Sequence, residues 1–165
     1  MDNKNKGYSL IELIVVIAIL GIITTVSIIG LGMINGKPAD QCASALRISF
    51  TNHRLSTMGK NSASMVVYID SDGYVWIRET LDSTTTETKI GAKGVKIEVF
   101  YNDGSSNTEL TPGGAGLTIS FNRHNGSFNI GKNIDKLRIS KASHVFDLKF
   151  YDLTGKVLLE RVTGE

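Results

Sequence analysis

The chain has 165 residues and a formal net charge of +2, enough for one domain of ordinary size with an appendage and too few to fill two independent cores. The near balance of charge leaves no electrostatic footprint of a dedicated nucleic-acid binder or a polybasic membrane patch. Cys42 is the sole cysteine, which excludes an intrachain disulfide, so any extracytoplasmic part must be held by packing alone.

The first predicted element follows the short polar leader MDNKNKG. From Leu13 to Ile34 no side chain is charged, and as a helix this run extends roughly 33 Å, about the thickness of a bilayer's hydrocarbon core. Lys4 and Lys6 precede it, so the positive-inside rule keeps the amino terminus in the cytoplasm and sends the rest outward. A conventional secretory signal has an apolar region of about 7–15 residues, and here the run is too long and ends too far before Ala43-Ser44-Ala45. Asp40 and Gln41 stand where a lipoprotein signal at Cys42 would need small or aliphatic residues. A plain single-pass anchor accounts for the hydrophobicity but leaves Glu12, a carboxylate at the head of the run, without a purpose.

Gly7, then Tyr8, then Glu12 as the fifth residue after that glycine, then an aliphatic run containing Gly21, resemble the class III signal of type IV prepilins and pseudopilins. The resemblance implies that a prepilin peptidase cuts between Gly7 and Tyr8 on the cytoplasmic side and methylates the new amino group of Tyr8. It implies partners of three kinds: the peptidase, other pilin or pseudopilin subunits, and a membrane assembly platform, with the lipid bilayer as host before assembly. It also gives Glu12 of an incoming subunit the task of attracting the amino terminus of the subunit at the filament base, which sets axial register. Two departures stand out: Tyr8 replaces the more usual phenylalanine, and Ile29 occupies the place where many members carry a helix-bending proline. The physical logic agrees with the role. A lone carboxylate at a helix centre in lipid costs about 2.5–3.5 kcal/mol, less near the interface, and a cation four residues away on the same helical face, or on a neighbour, offsets it.

Farther along, Gly30, Gly32, Gly36 and Pro38 predict a kink or a locally melted stretch. From Ala39 an amphipathic helix is expected, with Cys42, Ala43, Leu46 and Phe50 on one side and Asp40, Arg47 and Arg54 away from it. As one rod from Tyr8 to about Met58 the helix would extend roughly 77 Å.

After Gly59 the period changes to alternation. Met65-Val67-Ile69, the turn Asp70-Ser71-Asp72-Gly73 and Val75-Ile77 predict a hairpin. Val95, Ile97, Val99 and Tyr101 alternate as a further strand. Leu117-Ile119-Phe121, then Asn125-Gly126, then Phe128-Ile130 predict a second hairpin, in which a two-residue turn pairs Phe121 with Ile130. Leu137-Ile139, Phe146-Leu148-Phe150 and Val157-Leu159 around Thr154-Gly155-Lys156 supply the last antiparallel strands. The glycine-rich stretch Thr111 to Gly116 and the threonine-rich tract Asp82 to Thr88 are expected as exposed loops. The fold class is therefore α+β, a long amino-terminal helix with a transmembrane half and an amphipathic half, packed against an antiparallel β-rich head. The expected divisions are a cleaved leader at 1–7, an assembly helix at 8–35, its amphipathic continuation at 36–60 and the head at 61–165. Within the resembling family this order looks most like a minor pilin or minor pseudopilin.

Catalytic readings fare poorly. His53, His124 and His144 have no close-spaced partner for a metal. Asp70-Ser71-Asp72-Gly73 opens like a calcium loop, but Leu81 stands at the twelfth position, so a hairpin turn is favoured. Pro112 to Gly116 lacks the spacing and following helix of a phosphate cradle. No catalytic residue, metal or cofactor is expected, and no enzyme. Two functions of different class remain. One is a structural subunit of a type IV pilus or type II secretion-like filament, resident in the cytoplasmic membrane before assembly and in an extracytoplasmic filament or at the cell surface afterwards. The other is a single-pass, membrane-anchored binding module that never polymerises. Nucleic acid is not an expected partner, because loss of the leader lowers the net charge further.

Overall fold

The computed structural model of the chain describes residues 10–60, 62–128 and 134–162, and for residues 21–36 the backbone alone. Among the described residues one helix, α1 (Leu10–Thr57), is followed by nine strands. Two compact units are present, Met1–Asn35 and Gly36–Glu165. In the first, α1 begins at Leu10 with Glu12 in its opening turn. The backbone remains helical through Gly30, Gly32, Gly36 and Pro38, where composition predicts a kink or a melted stretch. No helix is long and apolar enough to cross a membrane among the described residues. Of the expected span, 8–35, residues 8 and 9 and the side chains of 21–35 lie outside them.

In the second unit, α1 buries the side expected of it: Ala39, Cys42, Ala43, Leu46 and Phe50 are fully enclosed. The helix ends where its polar groups find substitutes for the lost ladder. Thr57 Oγ1 donates to the His53 carbonyl at 2.8 Å, the amide of Gly59 donates to the Thr57 carbonyl, and Arg54 lies in the last turn, where a cation suits the helix dipole.

Two antiparallel sheets share the core with this helix. Strands β1 (Ala63–Ile69), β2 (Val75–Leu81), β3 (Thr84–Gly91) and β6 (Leu117–Ile119) form a sheet in the order β3-β2-β1-β6. Strands β4 (Lys96–Tyr101), β5 (Thr108–Glu109), β7 (Ile134–Lys141), β8 (His144–Tyr151) and β9 (Lys156–Val162) form the other, in the order β5-β4-β7-β8-β9. Alternation decides which residues face inward. Met65, Val67, Ile69, Val75, Ile77 and Ile119 are buried from the first sheet, and Ile97, Val99, Leu137, Ile139, Phe146, Leu148 and Phe150 from the second. Phe50 of α1 meets Phe150 edge to face at 5.6 Å, Phe150 meets Phe128 at 4.9 Å, and Phe128 meets Phe121 at 4.7 Å. This aromatic chain ties the helix to β8 and to the segment after β6.

Two expectations are corrected. The threonine-rich tract is an edge strand, because Asp82 takes a positive φ of 53° and closes a tight hairpin that pairs Leu81 with Thr84; β-branched threonines then suit the pleat. The second hairpin is wider than a two-residue turn: Phe121 pairs with Phe128, and Ile130 lies outside the described residues. Asn122 Oδ1 accepts the His124 amide at 2.9 Å, and Asn125 Oδ1 accepts the Ser127 amide at 3.0 Å. These two side-chain turns build a loop from Arg123 to Gly126 in place of the compact one.

Candidate functional site

The amino-terminal signal is the first candidate. Gly7 and Tyr8 lie outside the described residues. Glu12 is in the first turn of α1 and exposed, where the positive end of the helix dipole favours a carboxylate. Around it, Leu10, Ile11, Leu13, Ile14, Val15, Val16, Ile17, Ile19 and Leu20 are exposed by 48 to 77%. These residues follow one another almost without interruption, so they occupy every side of the helix, and no polar face remains to meet water. At about 1.5–3 kcal/mol per aliphatic side chain, removing them from water is worth on the order of 10 to 25 kcal/mol, as much as the whole stability of an ordinary domain. A surrounding of lipid or of other apolar helices satisfies this segment; water does not.

Residues 2–28 match the family model described as the prokaryotic N-terminal methylation motif. The chain carries a type IV prepilin-like class III signal. The motif implies processing by a prepilin peptidase, a membrane-anchored precursor and assembly with other pilin subunits, and it marks a family of structural proteins. No curated protein and no solved structure matches the chain.

The other candidates of the sequence do not converge. No group of three His, Cys, Asp or Glu side chains forms a metal site among the described residues. His124 is exposed in the loop after β6, and His144 opens β8. His53 is buried in α1 beside the Phe121 ring. Its Nδ1 lies 3.3 Å from Glu79 Oε1, close enough for charge to matter, yet among the described residues neither ring nitrogen has a hydrogen-bond partner. Burial lowers the pKa of His53 and raises that of Glu79, and both shifts favour the neutral forms.

The Asp70 turn resolves as a hairpin. Asp70 Oδ1 accepts the Tyr74 amide at 2.8 Å, Oδ2 accepts Trp76 Nε1 at 2.8 Å, and Gly73 supplies the positive φ of 87°. Desolvation pushes this carboxyl upward, but the bonds from Tyr74 and Trp76 outweigh it and hold it below the usual carboxylate range. Both oxygens are thus engaged in shaping the turn. Leu81 lies in β2, and Glu79 faces His53. In the glycine-rich loop Pro112 bridges to Ile69, and the Gly113 amide donates to the Ile69 carbonyl at 2.9 Å, so this loop fastens onto the end of β1.

Sequence reasoning missed Arg54. Expected on the solvated side of the helix, it is half-buried, with Nε donating to the Gly126 carbonyl at 3.0 Å. It missed Asp147 as well: this carboxylate is 4% exposed on the outward side of β8 and receives Lys136 at 2.8 Å and Arg138 at 2.8 and 3.0 Å. Alternation marks position 147 as outward but gives no sign that long side chains from β7 cover it.

Proposed function

We propose that this chain is a structural subunit, a pilin or pseudopilin of the minor kind, of a type IV pilus or type II secretion-like filament. A prepilin peptidase cuts it after Gly7 and methylates Tyr8, and the helix from residue 8 to about residue 35 resides in the cytoplasmic membrane until the subunit is extracted into the filament. The head is extracytoplasmic. Glu12 and the methylated amino group of Tyr8, on the same subunit or a neighbour, form the charge pair that fixes how the rods stack, while the aliphatic residues provide adhesion without direction.

The observation that supports this reading best is the coincidence of the methylation motif over residues 2–28 with a helix exposed on every apolar side and interrupted by one carboxylate. An anchor needs only the hydrophobicity. Glu12→Ala separates the two readings. The filament reading expects normal membrane insertion and cleavage, with incorporation into sheared filaments reduced at least about tenfold, the equivalent of about 1.4 kcal/mol. Normal incorporation of the variant rejects the register role.

A further inference from the structure

The outward face of the β1–β2–β3 ribbon carries a cluster that the amino-terminal signal does not use. Inward residues of these strands fill the core, and the register sets the outward ones in three rows. Tyr68 pairs with Trp76 and Trp76 with Lys89; Val66 pairs with Arg78 and Arg78 with Glu87; Ser64 pairs with Thr80 and Thr80 with Thr85. The only tryptophan of the chain therefore stands half-buried at the centre of one row, with Tyr68 at its side.

Each group on this face is held in place. Trp76 Nε1 is committed to Asp70 at 2.8 Å. Arg78 lies 5.0 Å from the Tyr68 ring centre and donates to Glu87 at 2.6 Å. Lys89 lies 3.1 Å from the Tyr74 ring centre. Among the described residues no cation lies over Trp76. Its indole is a rigid apolar surface, with the Arg78 guanidinium and the Glu87 carboxylate in the next row and the paired hydroxyls of Thr80 and Thr85, 3.2 Å apart, in the row beyond.

We propose that this face binds a neutral glycan, with Trp76 stacking against the C–H face of a sugar ring and Arg78, Glu87, Thr80 and Thr85 addressing its hydroxyls. Charge complementarity selects the ligand class: Arg78 and Lys89 are balanced by Glu87 and Asp70, so the face has no net field for a phosphate backbone, which single-stranded nucleic acid sites require. Size argues against a second copy of this chain. Three strands about 4.8 Å apart and three rows about 7 Å apart cover roughly 10 by 14 Å, far below the ~800 Å² per partner of a stable protein interface. That area matches two or three sugar rings. Because the groups are already ordered, little side-chain freedom is lost on binding.

The test uses the full chain in a zwitterionic detergent. Maltoheptaose, cellohexaose and chitohexaose are titrated while the fluorescence of the single tryptophan is followed, which reports on this ring alone. A saturable change with at least one of them, unaffected by added salt, is expected. By calorimetry Trp76→Ala should weaken that binding at least about tenfold, and Trp76→Phe, which keeps an aromatic ring, should stay within a few-fold. Glu87→Ala, on an exposed edge strand, should weaken binding with the melting temperature unchanged, and it serves should Trp76→Ala fail to fold. The proposal is overturned if none of the three sugars changes the fluorescence, or if the variants bind as the unaltered chain does. It is overturned equally if the signal comes only from oligo(dT) and fades with salt, or only from self-association. Cleavage at Gly7 is read at the other end of the chain, so failure here leaves the filament reading standing.

Discussion

Arg54 Nε and the Gly126 carbonyl oxygen meet at 3.0 Å although 72 residues separate them. The contact joins the last turn of α1 to the loop after β6. Gly155, in the turn before β9, completes the junction. It has a φ of 62°, and a Cβ added there would run into the Gly126 carbonyl and come within 3.0 Å of Arg54 Nε. Loop and turn are thus packed backbone to backbone at Gly126 and Gly155, which only glycine permits, and the Arg54 side chain joins the helix end to them.

Gly155→Ala is expected to lower stability by at least about 2 kcal/mol, combining the left-handed backbone cost with the collision. Arg54→Ala should cost about 1 kcal/mol, the net worth of one hydrogen bond and some packing. Chemical denaturation of the full chain in detergent measures both. An alanine variant at 155 that unfolds like the unaltered chain contradicts this account of the junction.

Cys42 should be chemically silent in the folded protein. Burial pushes its thiol pKa up to about 12, so the reactive thiolate is nearly absent at neutral pH. The side chain also sits where α1 approaches β3, since a Cβ on Gly91 would fall 2.8 Å from Cys42 Sγ and from Val75. A charged disulfide reagent at pH 8 is expected to label the denatured chain fully and the native chain hardly at all, and Gly91→Ala is expected to speed native labelling by opening this contact. Rapid labelling of the unaltered native protein contradicts the packing described.

His53 gives the head an acid-sensitive element. Its folded pKa is lowered by burial, so above the unfolded imidazole value of about 6.5 both states are neutral and nothing is lost. As pH falls from there through the folded value, the unfolded state takes up the proton first and stability declines. Glu79 acts in the opposite sense: burial raises its folded pKa, so acidification through its window favours the folded state. Glu79→Gln should therefore steepen the loss of stability on acidification, and His53→Gln should flatten it below about pH 6.5. Denaturation midpoints between pH 5 and 7.5 decide, and an unchanged profile in both variants removes the pair from the account.

Much of the head was legible in the residues. The β1–β2 hairpin followed from Met65-Val67-Ile69 and Val75-Ile77 around a turn whose first aspartate folds it, and the buried side of α1 followed from Cys42, Ala43, Leu46 and Phe50. Those signals are local: side-chain period and turn chemistry act within about ten residues. What escaped depended on distant partners or on competing local bonds. The threonine tract reads as a loop by composition and becomes β3 only because β2 offers it a ladder. Asn125-Gly126 reads as a two-residue turn until Asn122 and Asn125 spend their side chains on neighbouring amides. Arg54 reads as solvated until a loop 72 residues later covers it. At the amino terminus the class III signal was legible through residue spacing, and the methylation motif matches over residues 2–28.

The most direct measurement is the mass of the amino-terminal peptide of the chain recovered from cells with an active prepilin peptidase. The account predicts a peptide beginning at Tyr8 and carrying one methyl group on its amino nitrogen, with Gly7→Val leaving the leader attached because the peptidase needs close approach to that backbone. An unaltered chain that still begins at Met1 contradicts it and favours a membrane-anchored module that does not polymerise.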